Sequence, residues 1–276
     1  LAHGNFQMLN DFTTTGPDRV VSGIGAAREL PMLLDELGAS RVLLITGRTL
    51  ATATSLVDEV EQLIGERLGA TFHGCVQHVP ASSVDAAYDA ATDCGADCLV
   101  VFGGGSPVDT AKMVVYRQLQ AGHAPARQLA IPTTLSAGEF THAAGMTDEI
   151  TRVKHVYVDP RLQPATIVFD PELCRATPEA LWLTTGIKAL DHAVEGLWWP
   201  NRHPYLESLR SGAIADLRAN LARSIDADEL ESRLACQHAA WTSIAGLLSA
   251  KNVGFRLSHP LGHQIGARWD VPHGVT

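Results

Sequence analysis

The stretch VVFGGGSPVDTAK, residues 100–112, decides the fold of this chain, because it joins an apolar strand to a helix through three consecutive glycines. A helix that starts in this way leaves backbone N–H groups at its amino end, where the partial positive charge of the helix favours a phosphate. Glycines also let a ligand approach the backbone closely. The spacing is not the G-x-G-x-x-G pattern, and a glycine turn after a strand is often only a tight turn. The stretch alone therefore leaves phosphate binding and a plain turn both open.

Short apolar strands alternate with amphipathic helices on both sides of this stretch, up to about residue 170. The helical segments are recognised by apolar residues that recur at helical spacing. Alternation of this kind predicts an α/β fold, with a Rossmann-like parallel sheet and helical crossovers. We predict strands at 41–46, 97–105, 128–134 and 165–171, and helices at 50–68, 82–96 and 107–119.

The strand pattern disappears from Thr177 onward. Thr177 and Pro178 are typical of a helix start, and the remaining hundred residues are helical in period. The sequence therefore predicts two domains, an α/β domain over residues 1–172 and an all-α domain over residues 173–276.

Composition excludes several classes of partner. The formal net charge is −9 with no basic block, so we expect no nucleic-acid partner. No apolar run reaches the roughly 18 residues of a membrane span, and the first residues lack the pattern of a secretory signal. The five cysteines are odd in number and scattered, which suits a reducing compartment. We therefore expect a cytoplasmic protein with no membrane partner.

A second strand end, ITGRTL at residues 45–50, carries Gly47 and Arg48. In dinucleotide sites this position contacts the adenosine ribose, where an acidic residue favours NAD and an arginine accommodates the extra phosphate of NADP. Arg48 favours NADP, and a solvated arginine is the alternative.

A third motif, TTGIKALDHAVEG at residues 184–196, has helical period. Lys188 and His192 are four residues apart and share one helix face, whereas Asp191 points roughly 100° away from His192. A single histidine on a helix is usually a packed side chain.

Further histidines follow at the end of the sequence. His259 and His263 are also four residues apart, and His273 follows a Val-Pro pair. A pair of histidines at this spacing presents two imidazoles to one site, so these residues and His192 could converge on a divalent metal ion.

Together, the segments FGGGSPVDTAK, IPTTLSAGEFTHAAGMTDE, FDPELC, TGIKALDHAVE and SHPLGHQIGARWDVPHG resemble the iron-containing alcohol dehydrogenase superfamily, in particular its maleylacetate reductase-like branch. The match runs in order along almost the whole chain. It implies a dehydroquinate synthase-like architecture, with an NAD(P)-binding α/β domain and a helical domain. In the cleft between them, hydride would pass between a nicotinamide cofactor and a small carbonyl, alcohol or oxo-acid. Members usually dimerise through the first domain, so the resemblance also implies a homodimer.

The resemblance also assigns roles to single residues. Three metal positions of the family fall on His192, His259 and His273, and the histidine placed near the nicotinamide for proton transfer is His263. The cofactor-binding positions of the family fall on Gly103, Gly104, Gly105, Ser106, Asp109, Thr133, Thr134 and Lys154.

This chain departs from the family pattern at the fourth metal position. Metal-dependent relatives have an aspartate four residues before the helix histidine, and this chain has Lys188. An ammonium has no lone pair and would repel a divalent cation. An iron site is therefore disfavoured, whereas zinc could still be held by three histidines and water.

We hypothesise that the Lys188 ammonium replaces the metal and polarises the carbonyl oxygen. Maleylacetate reductases are described as working without metal, which agrees with this hypothesis. The alternative is that Lys188 extends into solvent.

Two other functional classes stay open. One is a metal-dependent lyase or cyclase on the same scaffold, in which bound NAD is recycled, and the other is a non-catalytic truncated relative. Related chains continue past the histidine-glycine motif, whereas this one starts at Leu1 and stops at Thr276, so we expect a piece of a longer protein with an incomplete helical domain. Candidates to recognise a substrate carboxylate are Trp198, Arg202 and Arg256, and the resemblance places His142 near the substrate.

Overall fold

The computed structural model describes residues 16–198, 203–246, 258–269, 271 and 275. Within the last of these helical segments, the side chains of His259, Pro260, His263 and Ala267 lie outside the description. No helix in the described ranges is long and apolar enough to span a membrane.

The strands form one large parallel sheet and one small hairpin. The strands are β1 (Arg19–Ser22), β2 (Val42–Gly47), β3 (Leu68–Cys75), β4 (Cys98–Gly103), β5 (Arg127–Pro132), β6 (Ala143–Asp148), β7 (Val153–Val158) and β8 (Thr166–Phe169). Six of them pair in the order β1-β8-β5-β4-β2-β3, all parallel, and β6 pairs with β7 antiparallel. This confirms the predicted α/β fold.

Helices cover the sheet and dominate the described chain after β8. They are α1 (Leu30–Glu36), α2 (Arg48–Ala53), α3 (Leu56–Ile64), α4 (Ala81–Asp93), α5 (Gly105–Gln120), α6 (Glu179–Leu197), α7 (Pro204–Asn220), α8 (Leu230–Ile244) and α9 (Ser258–Trp269). After β8, the residues that the structure describes form helices and turns without strands, as the sequence predicts.

The prediction of one helix over residues 50–68 is wrong. The helix breaks at Thr54, whose backbone is extended, and Leu68 already belongs to β3. The physical cause is the Thr54 hydroxyl, which donates a 2.7 Å hydrogen bond to the Leu50 carbonyl and accepts one from the Leu56 N–H. Threonine hydroxyls compete in this way with the helical hydrogen bonds.

The sheet separates two hydrophobic clusters, because successive strand residues point to opposite faces. Leu43 and Val101 belong to one cluster, and Leu44 and Phe102 belong to the other. The first cluster continues into α6 through Trp182, which is fully buried. The helices after β8 therefore pack on one face of the sheet and share its core.

The order in which successive strands are added to the sheet reverses at β2. Strand β3 lies on one side of β2, and β4, which comes next along the chain, lies on the other. In open α/β sheets, ligands bind outside the carboxyl ends of the strands at such a reversal. The fold therefore directs attention to the residues that follow β2 and β4.

Candidate functional site

The glycine loop between β4 and α5 opens a sixteen-residue helix. Gly103 has φ +150°, a conformation that L side chains rarely adopt, and a Cβ there would lie 2.9 Å from Pro107 Cγ. Gly104 is the extended residue before the helix. The N–H groups of Gly105 and Ser106 point out of the amino end of α5 with no partner inside the helix. The loop therefore has backbone donors that could face an anion.

The threonine segment after β5 packs directly against this loop. The N–H of Thr133 donates a 2.9 Å hydrogen bond to the Gly103 carbonyl. A Cβ on Gly104 would approach Thr134 Cγ2 to 2.9 Å, so only glycine fits there without a shift. The two predicted cofactor segments thus form one continuous surface.

Gly47 and Arg48 lie next to the glycine loop. In the register of β2 and β4, Thr46 pairs with Phe102, which places Gly47 beside Gly103 at the carboxyl edge. A Cβ on Gly47 would meet nothing within 4 Å, and Arg48 is exposed as the first residue of α2. The fold brings the two predicted strand ends together at the reversal point.

The predicted pair Asp109 and Lys154 lies beside this surface and is joined by its own contacts. Lys154 Nζ lies 3.8 Å from Asp109 Oδ2, and the Gly145 N–H donates to the same oxygen at 3.2 Å. The Lys154 side chain is mostly buried and runs over Gly145, where a Cβ would clash with it. The pair connects α5 to the β6–β7 hairpin.

Lys112 is a buried charge that the sequence analysis did not single out. Its Nζ donates to the backbone carbonyls of Gly138 and Thr141, each at 2.6 Å, and to that of Ala143 at 3.0 Å. Burial lowers the pKa of Lys112 to about 8, against the opposing effect of nearby carboxylates, and burial raises the pKa of Glu139 to about 7. The signal in the sequence was a lysine inside the apolar run VDTAKMVVY.

His142 lies in the loop that Lys112 holds. Burial and, to a smaller extent, the Lys112 charge lower the pKa of His142, which favours its neutral form, against the opposing effect of Asp159. Its backbone carbonyl accepts a 3.1 Å hydrogen bond from the Asp159 N–H.

Lys188 on α6 is 5% exposed, so the alternative in which it extends into solvent is wrong. Its Nζ lies 3.1 Å from Asp191 Oδ2 and 3.5 Å from Ser258 Oγ. The Ser258 hydroxyl donates to Asp191 at 2.8 Å, and the Ser258 N–H donates to Glu195 Oε1 at 2.9 Å. These contacts fix the ammonium and also attach the first residue of α9 to α6.

His192 lies one turn beyond Lys188 and is 6% exposed. Burial and, to a smaller extent, the Lys188 charge lower its pKa to about 4, against the opposing effect of the Asp191 carboxylate. The imidazole is therefore neutral at pH 7. The other predicted histidines lie outside the described residues, which exclude the side chains of His259 and His263 and all of His273.

The residues present do not fit the four-ligand metal set that the resemblance implies. The group at the fourth position is the Lys188 ammonium, which has no lone pair to offer. Within the described part of the chain, no group of three or more histidine, cysteine, aspartate or glutamate residues is arranged to hold a metal ion.

Two hydrogen bonds link the loop after β5, at the carboxyl edge of the sheet, to the part of the chain after β8. The Thr185 hydroxyl on α6 accepts from the Leu135 N–H at 3.1 Å, and the Thr177 hydroxyl donates to the Thr133 carbonyl at 2.7 Å. The segment 133–135 thus touches the glycine loop on one side and the helix of Lys188 on the other.

The predicted carboxylate-binding residues are Trp198, Arg202 and Arg256. Arg202 and Arg256 lie outside the described residues, and Trp198 is 74% exposed at the end of α6.

Comparison with known families and structures gives matches along nearly the whole chain. Residues 17–171 match the family model described as iron-containing alcohol dehydrogenase, and residues 182–276 match the model of the carboxy-terminal part of that family. Maleylacetate reductase 2 of Cupriavidus pinatubonensis is 34% identical over 270 residues, which cover 96% of this chain and 70% of the relative.

Solved structures agree with this match. The maleylacetate reductase of Agrobacterium tumefaciens superposes with a TM-score of 0.84 at 26% identity, covering 96% of this chain and 73% of the other. An iron-containing alcohol dehydrogenase of Corynebacterium glutamicum gives a TM-score of 0.83 at 26% identity, covering 96% and 70%.

Proposed function

Because the chain belongs to the iron-containing alcohol dehydrogenase family, we propose that it reduces a small oxo-acid and uses Lys188 instead of a metal ion at the carbonyl oxygen. Membership makes the chain an NAD(P)H-dependent oxidoreductase. The choice of an oxo-acid rests on the maleylacetate reductases among its relatives.

The cofactor would lie along the carboxyl edge of the sheet. The N–H groups of Gly105 and Ser106 fit the pyrophosphate, and the space beside Gly47 fits the adenosine ribose. The exposed Arg48 would meet the 2′-phosphate of NADP, and we propose NADP over NAD on this ground. The nicotinamide, when bound, supplies the hydride.

Lys188 would supply the positive charge that the carbonyl oxygen needs as hydride reaches the carbon. Among the described residues, Asp191 and Ser258 occupy two directions around its Nζ, and an ammonium has three N–H groups, so the third would be offered to a substrate oxygen. His263, on α9, would give the proton that completes the alcohol. The single observation that carries this proposal is the burial and double anchoring of Lys188.

The proposal predicts that Lys188→Met lowers kcat by at least about 100-fold, the usual scale for removing one preorganised donor, while Kd for NADPH stays within twofold. The matched control is Ile187→Met, because Ile187 is the preceding residue of α6 and is exposed. NADPH oxidation and fluorescence titration of NADPH measure the two quantities.

Elemental analysis of the purified protein and turnover with a chelator complete the test. We expect no stoichiometric metal and turnover that the chelator does not change. Stoichiometric iron or zinc with chelator-sensitive turnover would overturn the role of Lys188. Full activity of Lys188→Met would do so as well.

We also propose the larger organisation that the family suggests. The division into domains at residue 172, the homodimer and the cytoplasmic location stay proposals. Burial raises the pKa of the cysteine thiols, and all five are free cysteines, which suits a reducing compartment.

A further inference from the structure

Four oxygen atoms of the loop over residues 138–143 converge on the side chain of Lys112, which is fully buried. They are the backbone carbonyls of Gly138, Thr141 and Ala143 and the Thr141 hydroxyl, at 2.6, 2.6, 3.0 and 3.3 Å from Nζ. Carbonyl groups gathered in this way direct their negative ends to one point, and proteins use such groups to replace the hydration shell of a monovalent cation. The loop therefore has the ligands of a monovalent-cation site.

Carbonyl dipoles, and not a carboxylate, hold the charge of Lys112. Among the described residues, its Nζ forms no ion pair with an acidic side chain. Burial lowers its pKa to about 8, and Asp109 and Glu139 oppose this effect from farther away. Most of the protein therefore carries the ammonium form at pH 7, and the loop surrounds it as it would surround a free cation.

The loop that binds Lys112 follows directly on the segment that packs against the glycine loop. A Cβ on Gly105 would lie 3.2 Å from Ser136 Oγ, so the two segments are in close contact there. Ala137 comes next with φ 58°, in the left-handed region that a non-glycine residue adopts only when its surroundings impose it. The carbonyl of Gly138 then binds Lys112. The ammonium therefore fixes the backbone two residues after the contact with the glycine loop.

Helix α5 carries both the glycine loop and the lysine. Gly105 is its first residue, and Lys112 lies two turns later, about 10.5 Å along the axis. The segment 136–143 is attached to the helix at both places. Loss of the attachment at Lys112 would let Ser136 move away from the N–H groups at the start of the helix.

We propose that residues 138–143 form a monovalent-cation site that this chain fills with the ammonium of its own Lys112, and that Lys112 is thereby a positioning residue for the cofactor. The positioning role rests on the proposed function, because it takes the glycine loop to bind NADPH. The cation site itself does not depend on it.

A cation site of this kind should accept a free ammonium ion when the lysine is shortened. Lys112→Ala removes three carbon atoms and the nitrogen, which together have the shape of n-propylammonium. Cavities made by shortening a buried side chain can take up small molecules that match them. The same variant with n-propanol provides the uncharged comparison of nearly equal size.

We expect Lys112→Ala to raise the Kd for NADPH at least about tenfold, since hydrogen bonds to a charged group are among the stronger ones, and to lower Tm. Propylammonium should restore both quantities towards the wild-type values, whereas propanol should restore neither. Fluorescence titration of NADPH and thermal melting measure the two quantities. Equal rescue by propanol would overturn the proposal, because filling the space would then suffice without a charge. Absence of any rescue by propylammonium would overturn it as well.

Two further variants control for charge and packing. Lys112→Met fills the space with an uncharged side chain, so it should bind NADPH weakly and should not respond to propylammonium. Arg117→Ala removes a different positive charge from α5, one that pairs with Asp85, and should leave the Kd for NADPH unchanged. Wild-type affinity for NADPH in Lys112→Met would contradict the positioning role.

Circular dichroism extends the test to the case in which Lys112→Ala does not fold on its own. The expected result is then that propylammonium restores the helical signal and propanol does not. A chain that stays unfolded with propylammonium counts against the cation site.

The outcomes separate this inference from the proposed function. If Lys188→Met keeps full activity, the role of Lys188 fails, and the rescue of Lys112→Ala by propylammonium is unaffected. If oxo-acids are reduced but Lys112→Ala binds NADPH as tightly as the wild type, the reductase proposal stands and the positioning role of Lys112 fails.

Discussion

Glu139 and Lys112 place two ionisable groups in the interior, beside the loop that contains His142. Both side chains are almost fully buried, and in the described structure Glu139 Oε2 has no hydrogen-bond partner. A buried carboxylate is favoured in its protonated form, which is why its pKa rises, and a buried ammonium in its neutral form. These shifts make stability depend on pH.

The wild-type protein should become less stable as the pH rises from about 4.5 to 7, and we predict that the Glu139→Gln variant does not show this loss. In that interval Glu139 is protonated in the folded chain and ionised in the unfolded chain, so stability present below pH 4.5 is lost as the pH rises through about 7. At about 1.4 kcal/mol per pH unit, the loss is on the order of 3 kcal/mol.

Urea unfolding at pH 4.5, 6 and 7.5 measures this effect. Glu149→Gln is the control, since the Glu149 side chain is exposed and accepts a hydrogen bond from the Ser82 N–H. Parallel pH profiles for wild type and Glu139→Gln would contradict the prediction.

At the scale of single residues, the sequence identified Lys188 but not its partners. The departure from the family pattern could be seen because it concerns one position. The contact with Ser258 could not, because it joins residues seventy positions apart and depends on how α9 packs on α6. The partners of Lys112 could not be predicted for a related reason, since three of its four acceptors are backbone carbonyls, which the sequence does not specify.

At the scale of elements, the glycine loop makes the sharpest prediction. Gly104→Ala should weaken NADPH binding at least about tenfold, because the added Cβ meets Thr134 at 2.9 Å and shifts the N–H groups that follow. The loss should be in Kd, with thermal stability lowered much less.

Gly212→Ala is the control for this change. Gly212 lies inside α7, where a Cβ meets nothing within 4 Å, so alanine should raise stability by about 0.5–1 kcal/mol without changing cofactor binding. Fluorescence titration and thermal melting measure both variants. Unchanged NADPH affinity in Gly104→Ala would mean that the glycine loop does not bind the cofactor.

The strands that the sequence predicted are those buried on both faces. Strands β2, β4, β5 and β8 read as continuous apolar runs for this reason. Strand β3 is half-buried along its length at the sheet edge, and its LGATFHGC sequence gives neither a run nor an alternation. The short β1 and the hairpin strands β6 and β7 were missed as well, because small or exposed residues make up much of them.

At the scale of the whole molecule, Thr185 joins the helices after β8 to the carboxyl edge of the sheet, because its hydroxyl accepts a hydrogen bond from the Leu135 N–H. Thr185→Val keeps the shape but leaves the buried Leu135 N–H without its acceptor, which should cost about 1–3 kcal/mol. The Kd for NADPH should rise a few-fold, because the segment that supports the glycine loop loosens.

Thr184→Val is the matched control, since Thr184 is the half-buried neighbour whose hydroxyl donates to the Ala180 and Leu181 carbonyls of its own helix. Urea unfolding, NADPH titration and amide exchange at Leu135 measure the difference. Identical exchange at Leu135 in the two variants would contradict the coupling.

The order of the strands could not be read from the sequence. Periodicity shows that strands and helices alternate, but it does not say that β3 and β4 lie on opposite sides of β2, since that depends on which crossovers pack over which face. The site depends on this order, because Gly47 and Gly103 meet only when their strands are neighbours.

The pairing of β1 has a consequence for synthesis. Arg19 lies opposite Thr166, and the turn after β1 is tied to Asp170 through the N–H groups of Gly25 and Ala27. Chains emerge from the ribosome amino end first, at about 5–20 residues per second. Strands β2, β3 and β4 can join soon after they emerge, whereas β1 waits for its partner until residue 170 has been made. The first of the described strands is therefore among the last to enter the sheet, and a nascent chain arrested before Thr166 would carry an unpaired β1 for a chaperone to cover.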